Sequence, residues 1–338
     1  MKAAVLESPG RFRVQDVPDP RPGHAELLIQ VRSCGVCGTD VNLFTGKYTA
    51  NCPVVLGHEF SGEVVEVGPG TDWKTGTRVT ADPNESCGAC YWCHSGQPTF
   101  CQSMAAYGVL RDGAFAEYIV VGVRGAYPCP PHLDYELASF AEPVSCALHG
   151  ADRAAYRSGE TTTIIGDGAM GLLHVQLAAQ KGLSRLIVVG HHEEKLELAR
   201  QFGATDVVHA GSQDVYQAVM DLTAGLGTDV VMEVVGKPPA VELAVRLAKK
   251  GGRIVIFGFA PEGAQASLSP VDILSRELTI LGGWVNPYTF PRAIELLAAG
   301  KVDVRPFITH RLTLDEAPKG IELMMNKPHG FVKALVRI

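Results

Sequence analysis

Four cysteines, Cys87, Cys90, Cys93 and Cys101, fall within fifteen residues with the spacing C-x2-C-x2-C-x7-C. A tetrahedral Zn2+ takes four thiolates at about 2.3 Å, so one loop can hold it only when the ligands lie close in the chain. Gly88, Ser95-Gly96 and Pro98 supply the turns that fold this segment back on a point. The competing reading is a disulfide or redox pair, but cysteines this close rarely reach disulfide geometry. Three scattered motifs offer further ligands: Cys34-Gly35-Val36-Cys37-Gly38-Thr39-Asp40, Gly57-His58-Glu59 and Ala141-Glu142-Pro143. Each has an ordinary explanation alone: buried thiols, a core histidine, a helix start with proline at its first position. Together they offer a thiolate, an imidazole and a carboxylate, and three protein ligands with one open position are what a catalytic zinc requires.

A second chemistry is carried by Gly166-Asp167-Gly168-Ala169-Met170-Gly171. A G-x-G-x-x-G string is weak evidence by itself. Between an apolar β-branched run and a helical stretch it reads as a dinucleotide site. The first glycine makes the tight turn, the second lets backbone approach a pyrophosphate, and the third lets helix pack on strand. The helix N-terminus then presents N–H groups to the anion. A strict NAD site has Asp or Glu about 20 residues beyond the motif, on the ribose 2'-OH. Here Gly190 stands near that position and leaves space, followed by His191 and His192, with Lys195 one turn on. Both histidines can donate to phosphate oxygens, and Lys195 adds charge, so the pocket favours NADP(H) over NAD(H). The bland alternative is a glycine-rich turn and two surface histidines. Met170, Val235, Gly258 and Gly283 complete the cofactor candidates.

The elements that must position these groups fall into two kinds. Leu27–Val31, Gly62–Gly68, Thr77–Thr80 and Phe115–Val121 read as strands in a glycine-rich, mostly β region. From Thr161 onward the pattern alternates: strands at Thr161–Ile165, Leu186–Val189, Asp206–Val208, Asp229–Val234, Arg253–Phe257 and Leu278–Leu281. Helices intervene to about Lys181 and over Glu193–Phe202, Asp214–Thr223 and Ala240–Lys249. That alternation predicts an α/β, doubly wound parallel sheet. Phe290–Ala299 reads as a helix and Gly330–Ile338 as a strand, in a tail too small to stand alone. The expected division is 1–147, with a zinc lobe at about 85–102, then 148–283, then 284–338 returning to the first domain.

Length and composition agree: 338 residues suit two domains, and 46% hydrophobic with 20% charged residues is ordinary for a globular chain. A net charge of 30 − 36 = −6 without a basic tract argues against nucleic acid as a partner. The absence of a run of about 18 apolar residues argues against a membrane partner. Nine cysteines, an odd number, with no export signal point to a reducing cytoplasm.

These motifs, in this order and over nearly the whole chain, resemble the zinc-dependent medium-chain alcohol dehydrogenases, nearest the polyol (sorbitol) and threonine dehydrogenase branch. The resemblance rests on G-x-C-G-T-D at 35–40, G-H-E at 57–59, the four-cysteine lobe, E-P at 142–143 and G-x-G-x-x-G at 166–171. It implies a GroES-like, mostly-β catalytic domain joined to a Rossmann domain. It implies two Zn2+ per chain. The catalytic ion falls to Cys37, His58 and Glu142, with Glu59 as an alternative or water-bridged ligand, and the structural ion to Cys87, Cys90, Cys93 and Cys101. Cys34 is then not a ligand, and Asp40 orients His58. Zinc lowers the pKa of an alcohol oxygen, hydride passes to the nicotinamide, and Thr39 starts proton removal. Asn42 stands near where many relatives carry a relay histidine, so proton exit runs elsewhere, through Glu59 or water. The expected substrate is a small polyol or secondary alcohol, with threonine-type amino alcohols and sugars as alternatives. Phe44, Tyr48, Tyr107 and Gly283-Trp284-Val285-Asn286 are pocket candidates, and an Arg-Tyr pair of sorbitol dehydrogenases is replaced by Val285-Asn286. A homotetramer, or else a dimer, is the expected assembly. A zinc-free quinone or enone reductase is disfavoured by the ligand set, and a zinc–thiolate redox sensor or binding protein without turnover is the other class.

Overall fold

The computed structural model describes residues 1–338. The chain forms two compact units, one from Met1–Ser145 with Asn286–Ile338, the other from Cys146–Val285.

In the first unit a seven-stranded sheet runs Ala126–Pro128, Arg78–Ala81, Glu59–Val67, Glu26–Gly35, Lys333–Arg337, Ile308–Thr313, with Tyr118–Gly122 also paired to Glu26–Gly35. Glu26–Gly35 alternates buried and half-buried side chains until its last three residues, which are all buried, as a strand entering the core does. Leu27, Ile29 and Val31 pack with Phe60, Val64 and Phe115. Two register shifts bring Gly35 opposite Glu59 on one side and Leu335 on the other. The C-terminal strand therefore belongs to the sheet that carries Glu59. It begins at Lys333 rather than Gly330, because Gly330 turns the chain with φ +76°.

Strand structure was expected from Phe115, but it begins at Tyr118. Ala114 and Phe115 donate instead to the carbonyls of Gly57 and Leu56, at 2.8 and 2.9 Å. Those bonds tether the loop that presents His58. Gly57 has φ +90°, and a Cβ there would lie 2.9 Å from both Cys34 Sγ and the Phe115 ring, so only glycine fits.

The second unit is a six-stranded parallel sheet ordered Asp206–His209, Arg185–Gly190, Thr161–Ile165, Thr228–Glu233, Ala248–Ile256, Thr279–Gly282. Chain order reverses on either side of Thr161–Ile165, which is the switch point where such sheets bind ligands. Ile165, Ile187, Val189, Val231 and Ile254 form one side of its core. The helix expected to reach Lys249 stops at Leu247. Ala248 is already extended, and the strand it opens carries a register shift against Thr228–Glu233.

Candidate functional site

Cys37 caps the helix Gly38–Phe44, its sulfur accepting from Thr39 N at 3.5 Å. Asp40, fully buried, accepts from Cys37 N at 2.8 Å through Oδ2 and from Gly57 N at 3.3 Å through Oδ1. One carboxylate thus ties together the two loops that carry Cys37 and His58. The Cys37 thiol, His58 imidazole and Glu59 carboxylate have ligand atoms mutually within 4.8 Å. His58 Nδ1 is buried without a hydrogen bond, and the nearest acidic oxygen, Asp40 Oδ1, is 3.6 Å away. A thiol, an imidazole and a carboxylate gathered this closely fit a divalent metal of intermediate softness. Burial works against a charge on His58, but Cys37 and Asp40 outweigh it and push the imidazole upward. A cation arriving there must displace that proton. The Thr39 hydroxyl lies 3.7 Å from the Cys37 sulfur, so a proton-handling group stands at the trio's edge.

Glu59 is the carboxylate of this trio. Glu142 is buried at the start of the helix Ala141–Ala154. Its charge, with those of Glu59 and Cys37, acts on a residue the motifs did not reveal: Lys333, whose Nζ lies 2.5 Å from Glu59 Oε2 in a buried ion pair. Burial alone would lower the ammonium; these neighbours outweigh it and hold it above its ordinary value. Gly35 makes room for the pair, since a Cβ there would come within 3.0 Å of Lys333 Cε. The one available signal was a lysine inside the apolar run Phe331–Ile338 at a position that should face inward.

The sulfurs of Cys87, Cys90, Cys93 and Cys101 also lie mutually within 4.8 Å, and none is in a disulfide. Cys90 and Cys93 are 3.6 Å apart, Cys87 and Cys93 3.9 Å. Backbone N–H groups of Cys93 and Gln102 bring the Cys90 thiol down to about 6, while burial pushes Cys101 up to about 11. Four sulfurs around one point suit a zinc with no open position.

In the second unit, Gly166 turns the chain with φ +124° directly after the strand Thr161–Ile165. Gly168 begins the helix Ala169–Ala179 with no side-chain cap and open space where a Cβ would stand. At Gly171 a Cβ would collide with the Gly166 carbonyl. Turn, open approach and close packing are thus divided among the three glycines as an anion cradle requires. Met170 lies in the helix's first turn, Val235 follows the strand Thr228–Glu233, and Gly258 and Gly283 follow the next two strands. All stand at carboxyl ends of the sheet.

Three expectations are corrected. The space at Gly190 is filled by Asp167: a Cβ there would lie 2.5 Å from Asp167 Oδ2. Lys195, expected to add charge, is 4% exposed on the inner face of the helix Glu193–Gln201. Two pocket candidates are structural. Tyr107, 3% exposed, donates to Glu85 at 2.7 Å and accepts from Gly122 N. Asn286, 1% exposed, is held by Asn84 and Ser145. Tyr48 and Trp284 remain partly exposed, Trp284 beside Phe259.

Comparison with known proteins agrees with this geometry. Residues 23–131 match the alcohol dehydrogenase GroES-like domain and residues 169–299 the zinc-binding dehydrogenase family. The chain is 33% identical to sorbitol dehydrogenase of Bacillus subtilis (strain 168), covering 99% of this chain and 97% of that one. It is 34% identical to L-threonine 3-dehydrogenase of Bacillus licheniformis, over 97% of each. A zinc-binding dehydrogenase from Sinorhizobium meliloti 1021, solved bound to NADP, superposes with a TM-score of 0.95 at 42% identity, covering 100% of this chain and 99% of that one. The chain belongs to the zinc-binding medium-chain dehydrogenases: it is an oxidoreductase of the alcohol and polyol dehydrogenase class that uses zinc and a nicotinamide cofactor. No helix is long and apolar enough to cross a membrane.

Proposed function

We propose that this enzyme oxidises a secondary alcohol or small polyol to a ketone, reversibly, with NADP(H) preferred over NAD(H) and two zinc ions per chain. The observation that carries the reading is the Cys37, His58 and Glu59 trio, with ligand atoms mutually within 4.8 Å and the Thr39 hydroxyl beside it. A zinc held there supplies a Lewis acid for an alcohol oxygen, and the nicotinamide supplies the hydride acceptor. Cys37 and His58 are ligands, with the third place shared between Glu59 and Glu142. Lys333 is suited to exchange partners: it neutralises Glu59 when no metal is present and releases it when one binds. Asp40 fixes both ligand loops. Thr39 takes the alcohol proton into a hydrogen bond, and water or Glu59 passes it on, since Asn42 cannot titrate at neutral pH.

NADP(H) is favoured by the His191 and His192 ring donors that follow Gly190, and by the NADP bound to the S. meliloti relative. Cys87, Cys90, Cys93 and Cys101 hold the second, structural zinc. Nine cysteines with none in a disulfide suit a reducing cytoplasm. Association into a homo-oligomer is supported by the edge strand Thr279–Gly282, flanked by Val271 and Leu274 at 71% and 77% exposure. An amino-alcohol substrate is the second reading, favoured by the threonine dehydrogenase relative. A panel of polyols, simple secondary alcohols and L-threonine, each with NAD+ and NADP+ and followed by reduced-cofactor absorbance, separates them. Turnover of polyols or secondary alcohols supports the proposal; turnover confined to L-threonine replaces it with the second reading.

A further inference from the structure

Asp167 occupies the first variable position of the glycine motif, yet its side chain serves the next strand. Oδ2 accepts from His191 N at 2.7 Å, His192 N at 2.8 Å and the His192 ring nitrogen Nδ1 at 3.0 Å. This places a carboxylate at the end of Arg185–Gly190, where a dinucleotide fold meets the adenosine ribose. Gly190 and Asp167 are therefore one device. Removing the side chain from the strand end makes the room that the Asp167 carboxylate fills, since any Cβ at Gly190 would lie 2.5 Å from Oδ2 and 2.6 Å from the Asp167 Cβ.

We propose that Asp167, paired with His192, determines which 2' group of the adenosine ribose this enzyme accepts. The proposal rests on the reading of the glycine turn as the cofactor site given above. All three hydrogen bonds fall on Oδ2, so Oδ1 remains able to accept from a ribose hydroxyl, as a strand-end Asp or Glu would. A 2'-phosphate meets the opposite field. The two backbone N–H groups that would otherwise receive it are already engaged, and the nearby carboxylate repels it. The His192 ring, bonded to Asp167, can reverse that. When imidazolium, His192 neutralises Asp167 and still has Nε2–H to donate to phosphate. When neutral with its proton on Nδ1 toward Asp167, its Nε2 can only accept. The protonated pair thus admits a phosphate and the deprotonated pair a hydroxyl.

Other charged groups around the pair are few. Burial raises Asp167, but the His192 and His191 donors outweigh it and hold the carboxyl below its ordinary value. On its own element His192 is followed by Glu193, Glu194 and Lys195, and preceded by His191. On the neighbouring strand His209 lies in register with Gly190, its Nδ1 engaged by Gly211 N and Ser212, while Asp206 pairs with Arg185. On the adjacent helix His174 packs against Phe257.

The test uses zinc-loaded full-length protein and two cofactor fragments, 2',5'-ADP and 5'-ADP, with Kd read by calorimetry from pH 6 to pH 8. In the wild type the ratio of the two Kd values at each pH is the reference for the variants. Asp167→Asn keeps an acceptor but removes the charge. It should tighten 2',5'-ADP several-fold and leave 5'-ADP unchanged or weaker. Protonation of the fragment's own phosphate is common to both proteins and cancels. His192→Gln, which leaves the turn's backbone bonds in place, should weaken 2',5'-ADP several-fold relative to 5'-ADP, because the ring that can offset the Asp167 charge is gone. A wild type that prefers 5'-ADP at every pH, with Asp167→Asn still shifting the ratio, sinks the NADP(H) reading but supports this proposal. If Asp167→Asn changes both Kd values by the same factor, or His192→Gln keeps the wild-type ratio of the two Kd values, the proposal is overturned and Asp167 is only a clamp on the turn.

Discussion

Lys333→Met is the substitution that asks most of the metal-site reading. It removes the ammonium 2.5 Å from Glu59 Oε2 and keeps a side chain of similar length in a buried position. Breaking a buried pair by deleting one partner leaves an uncompensated charge and costs about 3–5 kcal/mol. Glu59 would then face the Cys37 sulfur within 4.8 Å with only the His58 imidazole left to offset its charge. If Glu59 can turn to a bound zinc, the ion substitutes for the lost ammonium. The penalty should therefore be near the full 3–5 kcal/mol in chelator-stripped protein and well under half of that with zinc bound. Glu59→Gln added to Lys333→Met should return most of the loss in the stripped protein, because the orphaned charge is gone. Guanidinium unfolding midpoints of both variants, each with and without zinc, measure all these terms. A penalty of equal size in both metal states, or a double variant no better than Lys333→Met, would refute the idea that Glu59 exchanges between lysine and metal.

Two further predictions concern the frame. His174 is buried with neither ring nitrogen bonded, and burial lowers it from 6.5 to about 3. A base depressed in the fold contributes a penalty that grows as pH falls below 6.5, so between pH 7.5 and pH 5 the wild type should lose about 2 kcal/mol more than His174→Leu in chemical denaturation; parallel pH profiles would contradict this. Cys93→Ser removes one of the four clustered sulfurs and should lower thermal stability and weaken assembly, read by calorimetry and size-exclusion chromatography; a variant that keeps both but loses only turnover would show that this lobe takes part in chemistry.

What could be read from the residues depended on how local the constraint was. The four cysteines declare themselves because one loop must supply every ligand. The glycine turn does so because its steric demands fall within six residues, Gly166 to Gly171. The doubly wound parallel sheet followed from the alternation of strands and helices, but the end of the helix at Leu247 did not, because a register shift in the neighbouring pair set it. Lys333 lies far along the chain from Glu59 and reaches it only because Glu26–Gly35 pairs with strands on both sides. Gly190 read as an empty space, since its vacancy is filled from Asp167, across a strand crossover. Tyr107 and Asn286 carry groups that could touch substrate, and only the structure shows them buried and hydrogen-bonded within the protein.

The central claim is that Cys37 holds a catalytic zinc apart from the four-cysteine ion. Zinc content per chain of purified Cys37→Ala, beside the wild type, tests it most directly. The account predicts two ions in the wild type and one in the folded variant, with alcohol oxidation lost. A variant that still carries two zinc ions, or a wild type that carries only one, would contradict it.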